Sequence, residues 1–355
     1  MSAIINPAGL TEAAKTYDKV LRTLPFFSLE ALAQALRLNV IEVENEDVIV
    51  NKRRLAGATG PYKQGMAITY KEEVARFVES TLKPELVVSK TKDNILNYKE
   101  KKVLVMAGTS LDLKTKKHPL EQMIVRDEII SHAEDVVFAA FFAERDDDVF
   151  SPATAFTGFY PLLGALVTGG LIDAGLGNLG TTGAFAMPVD GDSDAYDNLV
   201  EFIGSAHPML RSSQGGVPQL LLTQTVLTAV RAAYRNKVNQ FQMPTMAQVL
   251  EAIREDAFAP GLLFSTHEAL GTGSQLVLQK VGNMDMGFNT NKSNQFVQVR
   301  NIFEDPNEVQ FWIEAAYGTR VRDVHQKVFK TNEQQNTGLD LSGDYVIAPE
   351  PPVGG

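Results

Sequence analysis

The stretch NKRRLAGATGPYKQG, residues 51–65, combines residue types that can bind a phosphate. Its basic side chains are Lys52, Arg53, Arg54 and Lys63. Glycines that let the backbone close around a phosphate, together with a lysine, are typical of nucleotide-binding loops. Such a loop places Ser or Thr directly after its lysine to hold magnesium, whereas Gln64 follows Lys63 here. We therefore interpret this stretch as a cationic loop tip in which glycines permit positive φ angles.

The other residue types that could do chemistry form no catalytic or metal-binding pattern. The five histidines are far apart in the sequence, and none belongs to an H-E-x-x-H motif. We expect His132 to be a solvated side chain on the polar face of a helix. There is no cysteine and no G-x-S-x-G motif. The sequence therefore predicts a protein that is not an enzyme and that uses no cofactor and no metal.

Three consecutive aspartates, Asp146, Asp147 and Asp148, offer the oxygen ligands that hard cations prefer. The run lacks the glycine and the distant glutamate of a calcium loop. We interpret it as the charged end of a helix. The run DGDSD at 190–194 is interpreted in the same way, as a turn followed by a helix cap.

Composition and charge point to a globular protein with two oppositely charged blocks. The chain has 355 residues, 44% of them hydrophobic, and a net charge of −10, which argues against a free-standing nucleic-acid binder. Residues 51–117 hold 15 Lys and Arg against 7 Asp and Glu, a net charge of +8. Residues 118–148 hold 2 against 9, a net charge of −7. A basic and an acidic block in one chain suit head-to-tail contact between copies.

The most apolar stretch, FYPLLGALVTGGLIDAGLG, is a poor membrane span because it carries Asp173 and several glycines. We therefore expect no membrane association.

The N-terminal third is predicted to contain two helices and then an extended β region. We expect a first helix over 11–24 that ends at Pro25, and a second one capped by Ser28. From Val40 to Gly108, β-branched clusters alternate with charged turns, which predicts strands over 40–50, 85–90 and 101–108. A short helix is predicted over 69–82. This region has few large apolar residues, so we expect it not to bury itself alone.

The clearest helix begins at Pro119, a residue suited to the first helical position. Helical spacing predicts a buried stripe of Ile130, Ala133, Val137, Ala140 and Phe141. The opposite, polar face is predicted to carry Glu121, Glu128, His132 and Asp135.

The second half is predicted to alternate between helices and strands. Ser193 is expected to cap one helix, Pro218 to open a second, and Thr245 with Gln248 to form the capping box of a third. Strands are expected from about residue 275. Alternation over 310–317 predicts one long strand, with a turn at Gly318.

The order of these segments resembles the major capsid proteins of tailed bacteriophages, which have the Hong Kong 97-like fold. The likeness rests on HPLEQMIVRDEIISHAEDVVFAAFFAERDDD as the spine helix of a peripheral domain and on FTGFYPLLGALV as the entry to an axial domain. VPQLLLTQTVLTAVRAAYRNKV resembles an axial-domain helix, and FEDPNEVQFWIEAAYGTRVRDVHQKVFKTN resembles the long closing strands.

The resemblance implies an α+β fold with five parts. They are an N-terminal arm (1–44), an extended loop (45–112), a peripheral domain (113–152 and 286–345), an axial α/β domain (153–285) and a C-terminal tail (346–355). Residues 51–65 would then belong to a loop that reaches over a neighbouring copy. The residues expected at contacts between copies are Lys52, Arg53, Arg54, Lys63, Glu121, Glu128, Asp135, Asp146, Asp147 and Asp148.

The resemblance also implies partners and a location. We expect hexameric and pentameric capsomers, a separate scaffolding protein, a portal, and minor or decoration capsid proteins. The shell would enclose double-stranded DNA without sequence-specific binding, form in the host bacterial cytoplasm and end in the phage head. Two alternatives stay open: an encapsulin-type compartment that holds cargo enzymes, and a soluble α/β enzyme with an unrecognised site.

Overall fold

A computed structural model describes residues 24–54, 75–94, 119–185, 187, 194–238, 243–289, 297–301, 308–332 and 336–337, together with Thr11 and Lys15. All structural statements below concern these residues. The predicted strand over 101–108, the contact residue Lys63 and the tail lie outside them, as does most of the first predicted helix.

The chain is α+β, as the sequence predicted. The helices are α1 (Leu24–Leu36), α2 (Pro119–Phe142), α3 (Phe159–Thr168), α4 (Ala195–Gly204), α5 (Pro208–Arg211), α6 (Gln224–Lys237) and α7 (Met246–Asp256). The strands are β1 (Asn39–Glu42), β2 (Asp47–Arg54), β3 (Ala75–Leu82), β4 (Glu85–Asn94), β5 (Leu179–Gly180), β6 (Pro218–Leu221), β7 (Leu263–Ser265), β8 (Thr272–Gly273), β9 (Val277–Lys280), β10 (Met284–Asn289), β11 (Val297–Asn301), β12 (Glu308–Val321), β13 (Phe329–Asn332) and β14 (Asn336–Thr337).

The first sheet is built around the long strand β12. One side of β12 pairs antiparallel with β10 and β11, and β1 adds parallel to β10. The other side of β12 pairs antiparallel with β4 over ten residues, Glu308–Tyr317. Every second residue of β12 is buried from Val309 to Tyr317, which confirms the alternation predicted from the sequence.

The second sheet has the order β5-β13-β9-β6-β7 and is covered by helices α4, α6 and α7. The predicted capping box of α7 is present, since Thr245 and Gln248 bond reciprocally. Phe329, Val277 and Leu221 of this sheet lie in the same apolar cluster as α2 and the first sheet. The two sheets therefore share part of one core.

Two helix predictions are wrong because tertiary pairing or burial overrides the local signal. Residues 75–82, predicted as helix, form β3 because they pair with β2 along its whole length. Pro218 opens a strand and not a helix, since all four residues of β6 are buried between β7 and β9. Helix α6 begins six residues later, after the cap Thr223.

Three predicted helix boundaries are also wrong. Pro25 does not end a helix but lies in the first turn of α1, where its missing N–H costs nothing. Ser28 is consequently inside α1 and not its cap. Helix α4 takes Asp194 as its N-cap residue, one position after the predicted Ser193.

Helix α2 buries a stripe that is displaced by about one position from the prediction. Ala133, Ala140 and Phe141 are buried as predicted, but Ile130 is 37% exposed. His132, predicted to be solvated, is buried, because α2 packs against β12 on the side that the sequence pattern marked as polar. No helix within the described ranges is long and apolar enough to cross a bilayer.

Candidate functional site

The hairpin formed by β2 and β3 presents an apolar and cationic face to solvent. The strands pair antiparallel from Asp47 opposite Leu82 to Arg54 opposite Ala75. Because side chains alternate along a strand, Val48, Val50 and Lys52 share one face with Phe77 of the partner strand. All four are exposed, Phe77 by 61%, and the Lys52 ammonium lies 6.0 Å from the centre of the Phe77 ring. An exposed stripe of this kind on a two-stranded ribbon is a candidate contact surface.

The base of this hairpin is held by a cluster of charged residues, which we call the anchor cluster (Asp47, Asp285, Arg320 and Arg322). Arg320 is 1% exposed and Asp285 is fully buried; they lie opposite each other on β12 and β10. The Arg320 guanidinium contacts Asp285 Oδ2 at 2.5 Å and Asp47 Oδ2 at 2.8 Å, and Arg322 Nε contacts Asp285 Oδ1 at 2.7 Å.

The anchor cluster joins the first sheet to the hairpin through backbone groups as well. Arg320 Nη1 donates to the carbonyl of Asp47 at 2.9 Å, and Ser80 Oγ donates to the carbonyl of Val321 at 2.7 Å. A buried guanidinium whose hydrogens are shared among several acceptors holds a fixed orientation. The angle at which the hairpin leaves the sheet is therefore set by the sheet itself.

Two glycines in register make room for the link between β3 and β4. Gly287 on β10 is opposite Gly318 on β12. A Cβ atom at Gly318 would lie 3.0 Å from the carbonyl oxygen of Lys83, and one at Gly287 would lie 2.9 Å from Leu82 Cδ2. Gly318 is thus not the predicted turn. It lies inside β12, where the absence of a side chain allows a neighbouring backbone to approach closely.

A groove of about 320 Å³ lies between strand β4, helix α2 and the loop that follows α2. Its floor includes Val136 and Ala139 of α2, and Phe150, which is 72% exposed, lies at its rim. Arg145 spans one end: its Nη1 donates to the carbonyl of Leu86 at 3.2 Å, and its guanidinium pairs with Asp147 at 2.5 Å.

His132 and Asp135 lie one turn apart on α2 and line this groove. Their pKa values are shifted in opposite directions. Burial lowers the pKa of His132 to about 4, and its Nε2 lies 3.1 Å from the Tyr317 hydroxyl. Burial, together with the neighbouring Glu134 carboxylate, raises the pKa of Asp135 to about 6. At neutral pH the groove therefore carries a neutral imidazole and an ionised carboxylate.

The ten predicted contact residues fall into three groups. Four have side chains outside the described part of the chain: Arg53, Arg54, Lys63 and Glu121. The structure brings Asp135, Asp146 and Asp147 together around the groove and places Lys52 on the hairpin. Asp148 is exposed beside them, whereas Glu128 is half-buried and accepts a hydrogen bond from Thr91 at 2.5 Å.

Sequence reasoning missed the anchor cluster and the glycine pair. An isolated glycine within a strand pattern is a signal for close backbone approach, and Gly318 carried that signal. The anchor cluster had no comparable signal, because Asp47 and Arg320 are 273 positions apart in the chain. Among the described residues, no group of three or more His, Asp or Glu is arranged to hold a metal ion.

Comparison with solved structures identifies similar folds. A chain of the satellite phage P4 procapsid, a structure that includes the size determination protein, superposes with a TM-score of 0.51 at 9% identity, over 86% of this chain and 89% of that chain. A chain from the capsid of the myovirus XM1 superposes with a TM-score of 0.51 at 11% identity, over 86% and 91% of the two chains. No protein-family model and no curated protein sequence matches the chain. Identities this low carry the fold alone.

Proposed function

Because this chain has the Hong Kong 97-like capsid fold, we propose that it is the major structural subunit of a bacteriophage head. The observation that carries the proposal is the extent of the match, which takes in nearly the whole length of two phage capsid chains. In this function the protein works through contacts between identical copies, so the surfaces that a monomer leaves exposed are its functional sites.

The proposal assigns the sheets to domains. The first sheet with α2 is the peripheral domain, the second sheet with its helices is the axial domain, and the hairpin belongs to the extended loop. On this assignment β1 and β4 belong to the peripheral domain and not to the predicted arm and extended loop. Strand β13, which pairs with β9, then belongs to the axial domain and not to the predicted peripheral domain.

The hairpin is proposed to contact the groove side of the next copy in a capsomer. Charge supports this arrangement: the end of β2 carries Lys52, Arg53 and Arg54, whereas Asp135, Asp146 and Asp147 line the groove. Each exposed ion pair contributes only about 0–1 kcal/mol, but a closed shell repeats the contact in every subunit. Weak repeated contacts let misplaced subunits dissociate, so we expect assembly to depend strongly on salt.

Further parts of the proposal concern partners. Copies form hexamers and pentamers of an icosahedral shell around double-stranded DNA, with a scaffolding protein and a portal as partners. The shell forms in the host cytoplasm and becomes the phage head. Electron microscopy of the expressed protein tests this: closed shells are expected, and a particle of monomer mass in light scattering would contradict it. Shells that contain protein cargo in place of DNA would favour an encapsulin-type compartment.

The role of the cationic hairpin end is tested by charge reversal. The variant K52E/R53E/R54E is expected to stay folded and to form no shells, because like charges would meet at the groove rim. The neutral variant K52Q/R53Q/R54Q is the matched control and should assemble at higher protein concentration only. Adding D146K and D147K to the reversed variant should restore shells in part. Intact shells from the reversed variant alone would refute this role.

A further inference from the structure

One edge of strand β4 faces the groove. It pairs with β12 along all ten of its residues, and within the described ranges its other edge pairs with no strand. A long unpaired edge exposes a row of backbone donors and acceptors and is a template for a further strand.

Three residues of β4 turn their backbone polar groups towards the groove. The carbonyl of Leu86 accepts a hydrogen bond from Arg145 on that side, away from β12. Backbone groups alternate in direction along an antiparallel strand, so the N–H and C=O groups of Val88 and Lys90 point the same way as those of Leu86. All three residues line the groove.

The surroundings of the edge combine apolar surface with negative charge. Val149 and Phe150, both exposed, line the groove together with β4. Asp135, Asp146 and Asp147 supply three carboxylates to the same groove, against the two cations of Lys90 and Arg145. A segment that fits must be extended, apolar on one side and cationic at one end.

We propose that strand β2 of a second copy occupies this groove and adds to the edge of β4. Strand β2 has the required pattern, since exposed Val48 and Val50 precede three consecutive cations. Its eight residues are short enough to pair along the ten of β4. Within the described residues β2 pairs with β3 alone, so its outer edge offers the complementary backbone groups. The inference rests on the proposed function and specifies the chemistry of one contact within it.

Strand addition makes a prediction that simple charge attraction does not. In a continuous sheet, neighbouring side chains on one face come into contact and those on opposite faces do not. Cross-linking between copies should therefore alternate with a period of two residues along β2.

Engineered cysteines test this, because the natural chain has none. Val88→Cys is combined in turn with cysteine at positions 48, 49, 50, 51 and 52, and assembled shells are oxidised and separated on non-reducing gels. We expect covalent oligomers from positions 48, 50 or 52 and at least about fivefold less product from 49 and 51, whose side chains lie on the other face. Val88→Cys with Phe77→Cys is the matched control on the other strand of the hairpin.

Several results would overturn the inference. Equal cross-linking at all five positions, or stronger linkage to Phe77→Cys, would place the hairpin without pairing at β4. Stronger cross-linking of Val88→Cys to Thr11→Cys than to any cysteine on β2 would show that N-terminal residues, and not β2, occupy the groove. Closed shells without any cross-link would contradict strand addition but not the proposed function. If the natural chain forms no shells, both the strand addition and the proposed function are contradicted.

A backbone variant gives a second readout. Val88→Pro removes an N–H that points into the groove and is not used by β12, so the unassembled subunit should keep its melting temperature. Association should weaken by about tenfold, the effect of one lost hydrogen bond. Ser89→Pro, which removes an N–H that faces β12, is the control and should lower the melting temperature. Unchanged assembly of Val88→Pro would count against strand addition.

Discussion

The anchor cluster and the rim of the groove contain the same kinds of residue in opposite surroundings. In the anchor cluster, Arg320 and Asp285 are almost completely buried and satisfy each other. At the rim, Asp147 pairs with Arg145 at the same distance of 2.5 Å, yet Asp147 is 77% exposed. A short ion pair by itself therefore does not reveal its role, because burial decides how much the pair contributes.

The difference follows from solvation. Removing one partner of a buried pair leaves an uncompensated charge without water, whereas an exposed charge that loses its partner is hydrated again. The buried cluster fixes the geometry of the subunit. The exposed rim leaves the subunit almost unaffected and is available to a neighbour.

The largest expected effect is the loss of one partner in the anchor cluster. Arg320→Met should lower the free energy of unfolding by about 3 kcal/mol, because the buried Asp285 loses its buried cation and keeps only Arg322, which is 35% exposed, as a charged partner. Urea titration of the unassembled chain measures this. The double variant with Asp285→Leu should recover part of the loss, since the buried carboxylate is gone and water can hydrate the partly exposed Asp47 and Arg322; if it is no more stable than Arg320→Met alone, the buried charge is not the cause.

A second prediction concerns the pH dependence of stability, on which His132 and Asp135 of α2 act in opposite directions. His132 has its pKa lowered from 6.5 to about 4, so the unfolded chain binds a proton that the folded chain rejects, and stability is lost as the pH falls from 6.5 to 4. This amounts to about 3 kcal/mol for the buried imidazole. Asp135 has its pKa raised from 3.8 to about 6, so its contribution acts in the opposite sense and is lost as the pH rises through that range.

Unfolding measured between pH 4 and pH 6 should reveal both groups. In Asp135→Asn the free energy of unfolding should rise with pH, because His132 then acts without opposition. In His132→Gln it should fall with pH, and the natural chain should lie between. Parallel pH profiles for all three proteins would show that neither group is shifted by its surroundings.

A smaller effect is expected at the link between β3 and β4, which lies against Gly318 of the first sheet. Gly318→Val should cost about 1–3 kcal/mol, because its Cβ atom would crowd the backbone of Lys83 and Pro84. Gly164→Ala is the control: nothing lies within 4 Å of the added atom, and a glycine within a helix is replaced there by a better helix former. Equal thermal stability of the two variants would contradict this account of the glycine pair.

The smallest effect belongs to the rim. Asp147→Asn should change the free energy of unfolding by less than about 0.5 kcal/mol in spite of its short ion pair, since an exposed pair is weak. Assembly at low salt, followed by light scattering, should respond more than folding does. If Asp147→Asn lost as much stability as Arg320→Met, the proposed difference between the groove rim and the anchor cluster would be wrong.

Sequence reasoning succeeded where a single segment carries the signal. The alternation in β12, the capping box at Thr245 and the start of α2 at Pro119 are all local patterns. It was wrong where another segment decides: β3 became a strand by pairing with β2, and His132 was buried by Tyr317. For the groove, the sequence showed only the acidic run at 146–148. The groove itself could not be predicted, because its walls come from β4, α2 and the following loop, which are far apart in the sequence.

The anchor cluster also has a consequence for the order of events on the ribosome. The hairpin strands are made early, but Asp47 meets Arg320 only after 273 further residues have been translated. At about 5–20 residues per second, that is a delay of roughly 15–55 s. Until Arg320 is made, the hairpin lacks the contact that orients it, so we expect contacts between copies to form only after most of the chain has been synthesised.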